Sequence, residues 1–254
     1  MVQKPAIRKV GLARALSKLG HCSRSQGFTL IHDGRVRLND RIIRDAEFPV
    51  NLWKDRIDVD GERLVQTEKI YLMLNKPHGI VTTASDEKGR ETVYSLLPKD
   101  LPFLSPVGRL DKASEGVLLL TNDSEWAALI TDPITHLDKT YHVQVGDIAS
   151  EEMLDKMRKG IKVKDGETLR MKRVREIRRG GRNSWLEVIL DEGKNRQIRR
   201  MLDALNVKVL RLVRVAIGPF ELGDLAKGDS RILTTEEKKA LDGAMLQRKE
   251  PLDP

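Results

Sequence analysis

Three short stretches of this sequence bring together residue types that could do chemistry. The first is Gly108-Arg109-Leu110-Asp111-Lys112-Ala113-Ser114-Glu115-Gly116, a polar run that leads straight into Val117-Leu118-Leu119-Leu120. A carboxylate in a loop at the mouth of a strand is where reactive side chains concentrate. Arg109 and Lys112 flank Asp111, and nearby cations favour the ionised form that a nucleophile or a base requires. Read alone, Asp111 fits an aspartate in a solvated charged turn better than a reactive one, since a lone aspartate is not a motif. The second stretch is Lys139-Thr140-Tyr141-His142-Val143. Tyr141 can stack on a nucleobase, worth about 1–3 kcal/mol per base, or it can pack half-buried in a strand. The third is Glu192-Gly193-Lys194-Asn195-Arg196-Gln197-Ile198-Arg199-Arg200-Met201-Leu202. Here a glycine follows an apolar strand and opens a helix rich in cations. Backbone N–H groups at a helix start, with Lys and Arg beside them, make an anion pocket or a solvated basic helix start.

The elements that must position these residues are readable from periodicity. Residues 10–19 predict an amphipathic helix with Leu12, Ala15, Leu16 and Leu19 on one side and Gly20 as its cap. Ser23 is placed to cap a second helix over 24–32. Residues 35–39 alternate as a strand and end in an Asn39-Asp40 turn, and 57–61 form another short strand. Residues 62–69 carry no helix or strand pattern and predict a linker. From Ile70 the texture changes. Short β-rich runs at 71–74, 117–121, 140–145, 185–190 and 207–213 interleave with helix-like stretches at 124–131, 150–159 and 196–205. Gly180-Gly181 joins two strands as a hairpin. The expected class is α+β: a small N-terminal αβ unit, then a mixed, largely antiparallel sheet flanked by helices. The tail, 249–254, is expected to fray.

Composition excludes several functions. The single cysteine, Cys22, permits no intramolecular disulfide and no cysteine-based zinc site. The five histidines are scattered and include no metal-binding pair, and there is no glycine-rich nucleotide fingerprint. Apolar runs fall far short of the ~20 residues that span a membrane. Residues 1–20 are interrupted by Arg8, Lys9, Arg14 and Lys18, so the segment lacks the apolar core of a secretory signal. A soluble, cytoplasmic chain is therefore expected.

The net charge of +8 is segregated. Residues 1–44 hold ten Lys/Arg against two Asp; residues 156–200 hold sixteen basic side chains against six acidic ones. Two basic surfaces suit one polyanionic partner, although solvated basic faces look the same in sequence.

Together the three stretches resemble the bacterial ribosomal-RNA pseudouridine synthases, the family of the small-subunit synthase A and the large-subunit synthases B and F. Leu74-Asn75-Lys76-Pro77 with Gly79, the run from Pro106 to Asp123, and Gly218-Pro219 with Leu222 extend the likeness. The N-terminal segment resembles the S4 RNA-binding module through Ser23-Arg24, Leu30-Ile31, Gly34-Arg35-Val36 and Asn39. Ser124 and Gly27 depart from the family pattern, at positions away from the three stretches.

The resemblance implies an S4-like domain over 8–65 and a catalytic domain over 69–240. It implies isomerisation of uridine to pseudouridine in ribosomal RNA, with no metal and no cofactor. Asp111 matches the catalytic aspartate, Tyr141 the tyrosine against the target base, and Arg199 the basic residue that pairs with the aspartate. Ile198 falls at an apolar position under the site; Arg109, Lys194 and Arg196 are expected to bind substrate. Arg14, Lys18, Arg24, Arg35 and Arg37 would grip RNA phosphates. The basic hairpin over 170–182 is either a further RNA arm or a solvated ribbon. A large-subunit target, a monomer, and work on free rRNA or pre-ribosomal particles are the accompanying expectations. Two other functions fit the same residues: a non-catalytic S4-type ribosome-assembly factor, and a glycosidase that uses Asp111 to release free base.

Overall fold

The computed structural model describes residues 9–84, 86–135 and 137–246. The expected fraying of 249–254, the basic Lys4 and Arg8, and the start of the S4-like segment at residue 8 lie outside them. The chain divides into two compact units. Of the described residues, one holds 9–70 with 98–105 and 121–124; the other holds 71–97, 106–120 and 125–246.

In the first unit the elements are β1 (Val10–Gly11), α1 (Leu12–Lys18), α2 (Arg24–His32), β2 (Val36–Leu38), β3 (Arg41–Ile42), β4 (Pro49–Val50), β5 (Ile57–Val59) and β6 (Glu62–Arg63). Helix α2 starts where the sequence places it, at a capping box. The Ser23 hydroxyl accepts from Gln26 N–H, and the Gln26 side chain accepts from Ser23 N–H. Asn39 and Asp40 both adopt positive φ (49° and 67°), the conformation a two-residue hairpin turn demands between β2 and β3. Leu12, Leu16, Ile31, Val36, Val50 and Ile57 fill the core between the two helices and these strands.

Two expectations change here. The first helix begins at Leu12, because Val10 and Gly11 pair with Val50 and Pro49 instead. The 62–69 segment is not wholly linker: Glu62 and Arg63 pair with Val59 and Asp58. A two-residue strand carries no periodicity to betray it.

The second unit contributes β7 (Tyr71–Lys76), β8 (Ser105–Val107), β9 (Glu115–Thr121), α3 (Ser124–Thr131), β10 (Lys139–Val145), α4 (Glu151–Lys159), β11 (Ile161–Lys162), β12 (Thr168–Leu169), β13 (Arg173–Arg179), β14 (Ser184–Leu190), α5 (Gln197–Ala204), β15 (Val209–Ile217), β16 (Phe220–Glu221), β17 (Ser230–Ile232) and α6 (Thr235–Leu246). Among the described residues a nine-stranded sheet runs β13-β14-β10-β15-β9-β7-β17, with β16 on β15 and β8 on β9. Its β10–β14, β10–β15, β13–β14, β15–β16 and β7–β17 pairs are antiparallel, and β15–β9 is parallel. The fold is α+β with a mixed, largely antiparallel sheet.

Burial alternates strictly along β14, with Ser184, Leu186, Val188 and Leu190 turned inward. These side chains meet Met153, Leu154 and Met157 of α4 and Ile198, Met201 and Leu202 of α5 in one apolar cluster. A second cluster joins Met73, Val117 and Leu119 of the sheet to Trp126 and Ile130 of α3 and Leu241 and Met245 of α6. The two clusters fix the ends of β9, β10 and β15, where the polar loops emerge.

Candidate active site

Asp111 stands in the loop between β8 and β9. Every backbone carbonyl from Leu110 to Ser114 has a hydrogen-bond donor. Thr82 Oγ1 donates to Leu110 O at 2.8 Å. Lys76 Nζ donates to Asp111 O at 3.2 Å and to Ser114 O at 2.8 Å. Gly79 N–H donates to Lys112 O, Ser114 N–H to Asp111 O, and Arg199 Nη2 to Ala113 O at 2.8 Å. A loop whose carbonyls are all held is pre-organised, and its side chains are aimed before substrate arrives.

Lys76 is the centre of this bracing. It is fully buried, and burial pulls its ammonium down to about 8 against the attraction of Glu115 and Asp111. Three carbonyl acceptors, including Pro77 O, satisfy it. The sequence shows Lys76 only as part of a family motif, without a role.

Asp111 lines a cleft of about 630 Å³. Tyr141 lines it from β10, Leu190 from β14, Leu212 and Arg214 from β15, and Ile198 and Arg199 from α5. Arg109, Lys194 and Arg196 also reach it. All seven residues expected at the catalytic and substrate-binding positions thus share one concavity, which mixes apolar walls with convergent polar groups.

Their pairing differs from the expectation. Arg196, not Arg199, holds Asp111, with Nη1 donating to Oδ2 at 3.2 Å. Arg199 instead spends its hydrogen bond on the Ala113 carbonyl, and its Nε is buried without a partner. Burial and the neighbouring Arg196 pull the Arg199 guanidinium below its ordinary value, while Asp111 opposes this. The reason is local geometry. Arg196 adopts a left-handed backbone (φ 48°) just before α5, which turns its side chain away from the helical spacing that relates 196 to 199.

The expected anion pocket at the helix start is altered for the same reason. Helix α5 begins at Gln197, so 193–196 is a turn. Lys194 is taken by Glu167 and Glu192, both at 3.1 Å, and Arg200 by Asp165 and Glu167. In the first unit, Arg14, Arg24 and Arg37 are exposed. Arg35 is exposed but bound bidentately to Asp60, so it offers RNA less free charge than expected.

Behind the loop, Glu115 is buried between Arg211 and Lys227, each 2.8 Å away. Burial alone would raise its carboxyl; the two cations outweigh that and hold it at about 2. Among the described residues no group of three or more His, Cys, Asp and Glu is placed to hold a metal ion. No described helix is long and apolar enough to cross a membrane.

Asp111 on its braced loop and Tyr141 on β10 thus line one cleft whose volume lies in the range of small-ligand sites. Comparison with known sequences gives the class its name. Residues 70–204 match the family described as RNA pseudouridylate synthase, and residues 10–52 match the S4 domain. The chain is 34% identical over 231 residues to the ribosomal large subunit pseudouridine synthase B of Bacillus subtilis, covering 91% of this chain and 94% of that protein. It is 34% identical over 233 residues to the ribosomal large subunit pseudouridine synthase E of Vibrio parahaemolyticus, covering 86% and 93%. A crystal structure of a pseudouridylate synthase superposes with a TM-score of 0.64 at 30% identity, over 91% of this chain and 99% of that one. The chain belongs to the RNA pseudouridine synthase family, with an S4 domain at its N-terminal end; it is an enzyme whose substrate is RNA.

Proposed function

We propose that this enzyme converts a uridine of large-subunit ribosomal RNA to pseudouridine, with Asp111 as its catalytic carboxylate. The observation that carries the reading is Asp111 on a fully braced loop in the same cleft as Tyr141. The names of the relatives from Bacillus subtilis and Vibrio parahaemolyticus support the large-subunit target.

The reaction breaks the C1′–N1 bond, turns the base, and joins C1′ to C5. The C5 proton leaves and N1 gains one, so mass and oxidation state are unchanged. Attack at C1′, addition to the base and removal of a ribose proton all use an ionised carboxylate at this place. Arg196 orients it. The target uridine leaves its stack at a cost of a few kcal/mol, and Tyr141 with Ile198 gives the ring a replacement surface. Arg199 supports the loop through Ala113 rather than pairing with Asp111. Exposed Arg109 and Arg196 meet the phosphate backbone, and Lys194 joins them once it gives up its two glutamates. Arg14, Lys18, Arg24, Arg35 and Arg37 of the S4 domain set the register on rRNA or a pre-ribosomal particle. The enzyme works as a cytoplasmic monomer.

Mapping pseudouridines in the rRNA of cells with and without this protein tests the assignment. One large-subunit uridine is converted only when the protein is present. Asp111→Asn abolishes conversion and leaves RNA affinity within about threefold, since it removes one charge from a contact dominated by phosphates. Normal conversion by that variant removes Asp111 from the mechanism; release of free uracil makes the enzyme a glycosidase.

A further inference from the structure

Arg214 is out of character with the strand that carries it. Burial along β15 alternates so that Leu212, Arg214 and Ala216 occupy inward positions, and Arg214 is only 6% exposed. A guanidinium presents five N–H donors. Among the described residues its one hydrogen bond runs from Nε to Val117 O at 2.8 Å, and Nη2 is buried with no partner. A buried charged donor left unmade is costly, and such a group in a native site calls for a ligand or a reason. Glu115, in register with the preceding residue Val213, is already held by Arg211 and Lys227.

The position is fixed from both sides. Arg214 faces Tyr141 across the antiparallel β10–β15 pair and Gly116 across the parallel β9–β15 pair. Its side chain lines the cleft that holds Asp111 and Tyr141. A buried cation beside the stacking tyrosine meets the edge of whatever ring lies on that tyrosine. The exposed cations of the same cleft, Arg109, Lys194 and Arg196, suit phosphate instead.

We propose that Arg214 is a base-recognition residue, donating an N–H to a carbonyl oxygen of the flipped uracil. The inference rests on the isomerase reading above. When the C1′–N1 bond breaks, its electron pair stays with the base and is shared with O2 and O4. The base returns that pair to C1′ when C5 bonds to it, the C5 proton leaves, and N1 takes up a proton. A cation on one of those oxygens binds the charged, detached base more strongly than the neutral uridine, which is the differential that lowers a barrier.

The test uses the full-length enzyme and a large-subunit rRNA transcript with uridine, 2-thiouridine or 4-thiouridine at the converted position. Sulfur is a poor acceptor, so a substitution at the contacted atom weakens the contact without removing the ring. Wild-type single-turnover conversion, read by nucleoside chromatography, slows about tenfold or more for one of the two thio substrates. Arg214→Met binds RNA within about threefold of wild type, converts uridine about 100-fold more slowly, and no longer distinguishes the thio substrate from uridine. A merely structural Arg214 would leave the sulfur penalty intact in the variant, and that result overturns the proposal, as does a wild-type rate in Arg214→Met. Should that variant not fold, the wild-type enzyme decides: no slowing with either thio substrate overturns the contact. Failure of the wild type to convert uridine in any rRNA is a separate outcome, and it strikes the isomerase reading instead.

Discussion

Arg196 Nη1 lies 3.2 Å from Asp111 Oδ2, although 85 positions separate the two in the chain. The arginine is half exposed, and an exposed ion pair adds only about 0–1 kcal/mol to stability. Its backbone is left-handed at φ 48°, which costs a non-glycine residue about 1 kcal/mol or more. Arg196 therefore gives nothing evident to the fold and orients Asp111. Arg196→Gly is expected to raise the thermal midpoint by about 2–4 °C while slowing conversion about tenfold or more. An unchanged rate in single-turnover assays counts against the orienting role.

Arg199 predicts the opposite balance. Its Nη2 holds the Ala113 carbonyl and its Nε is buried. Arg199→Ala frees that carbonyl and loosens the loop, so it costs about 1–3 kcal/mol of stability as well as rate. Chemical denaturation of Arg196→Gly and Arg199→Ala side by side separates the two arginines; equal stability refutes the division.

Lys76 makes stability depend on alkaline pH. Its folded-state value is about 8, below the ordinary 10.5 of a lysine. The unfolded chain therefore holds the proton more tightly between those values. The desolvation cost of the buried charge is fully present below pH 8 and is relieved as pH rises from 8 to 10.5. Across that window the wild type gains up to about 3 kcal/mol relative to Lys76→Met, which has no ammonium to titrate. Urea denaturation of both proteins from pH 7.5 to 10.5 gives the difference directly. A constant difference means that the Lys76 ammonium titrates alike in the folded and unfolded chain, so that burial costs it nothing.

Asp111, Tyr141 and Ile198 share a cleft, as the family resemblance of their three stretches implies; taken singly, none of the three marks a site. The helices at 24–32 and 124–131 are legible from cap and period. What is illegible depends on strands distant in sequence. Nothing local in Leu212-Val213-Arg214 shows that β9 and β10 flank β15, so the burial of Arg214 is not visible there. Lys76 stands only as one member of Leu74-Asn75-Lys76-Pro77 until the loop at 110–114 closes over it. Helix α6 escapes notice because only Leu241 and Met245 are buried in a segment rich in Glu and Lys. The exchange of Arg196 for Arg199 turns on one left-handed residue that no periodicity announces.

Glu115 gives an acid-side prediction. Arg211 and Lys227 hold its carboxyl at about 2, well below the ordinary 4.5. The stabilisation is fully present above pH 4.5 and is lost as pH falls toward 2. Glu115→Gln keeps the shape but leaves two cations against a neutral group. It is expected to cost about 3–4 kcal/mol near neutral pH, within the range for breaking a buried pair, and the deficit shrinks below pH 4. A deficit that is flat from pH 7 to pH 3 removes the charge from the explanation.

Gly116 joins the two walls of the cleft. It follows Glu115 directly, has φ +99°, and pairs in register with Arg214. A Cβ built there lies 2.1 Å from Arg214 O and 2.9 Å from Arg214 N, both backbone atoms that cannot swing aside. Alanine must therefore adopt a strained conformation and also part β9 from β15. The cost is expected to exceed about 4 kcal/mol, a fall in thermal midpoint of about 10 °C or more. Separation of those strands moves the Asp111 loop and Arg214 apart, so any folded Gly116→Ala enzyme should bind RNA through its S4 domain yet convert it poorly. A variant with wild-type melting and turnover means that the close approach of β9 to β15 is not what sets the cleft.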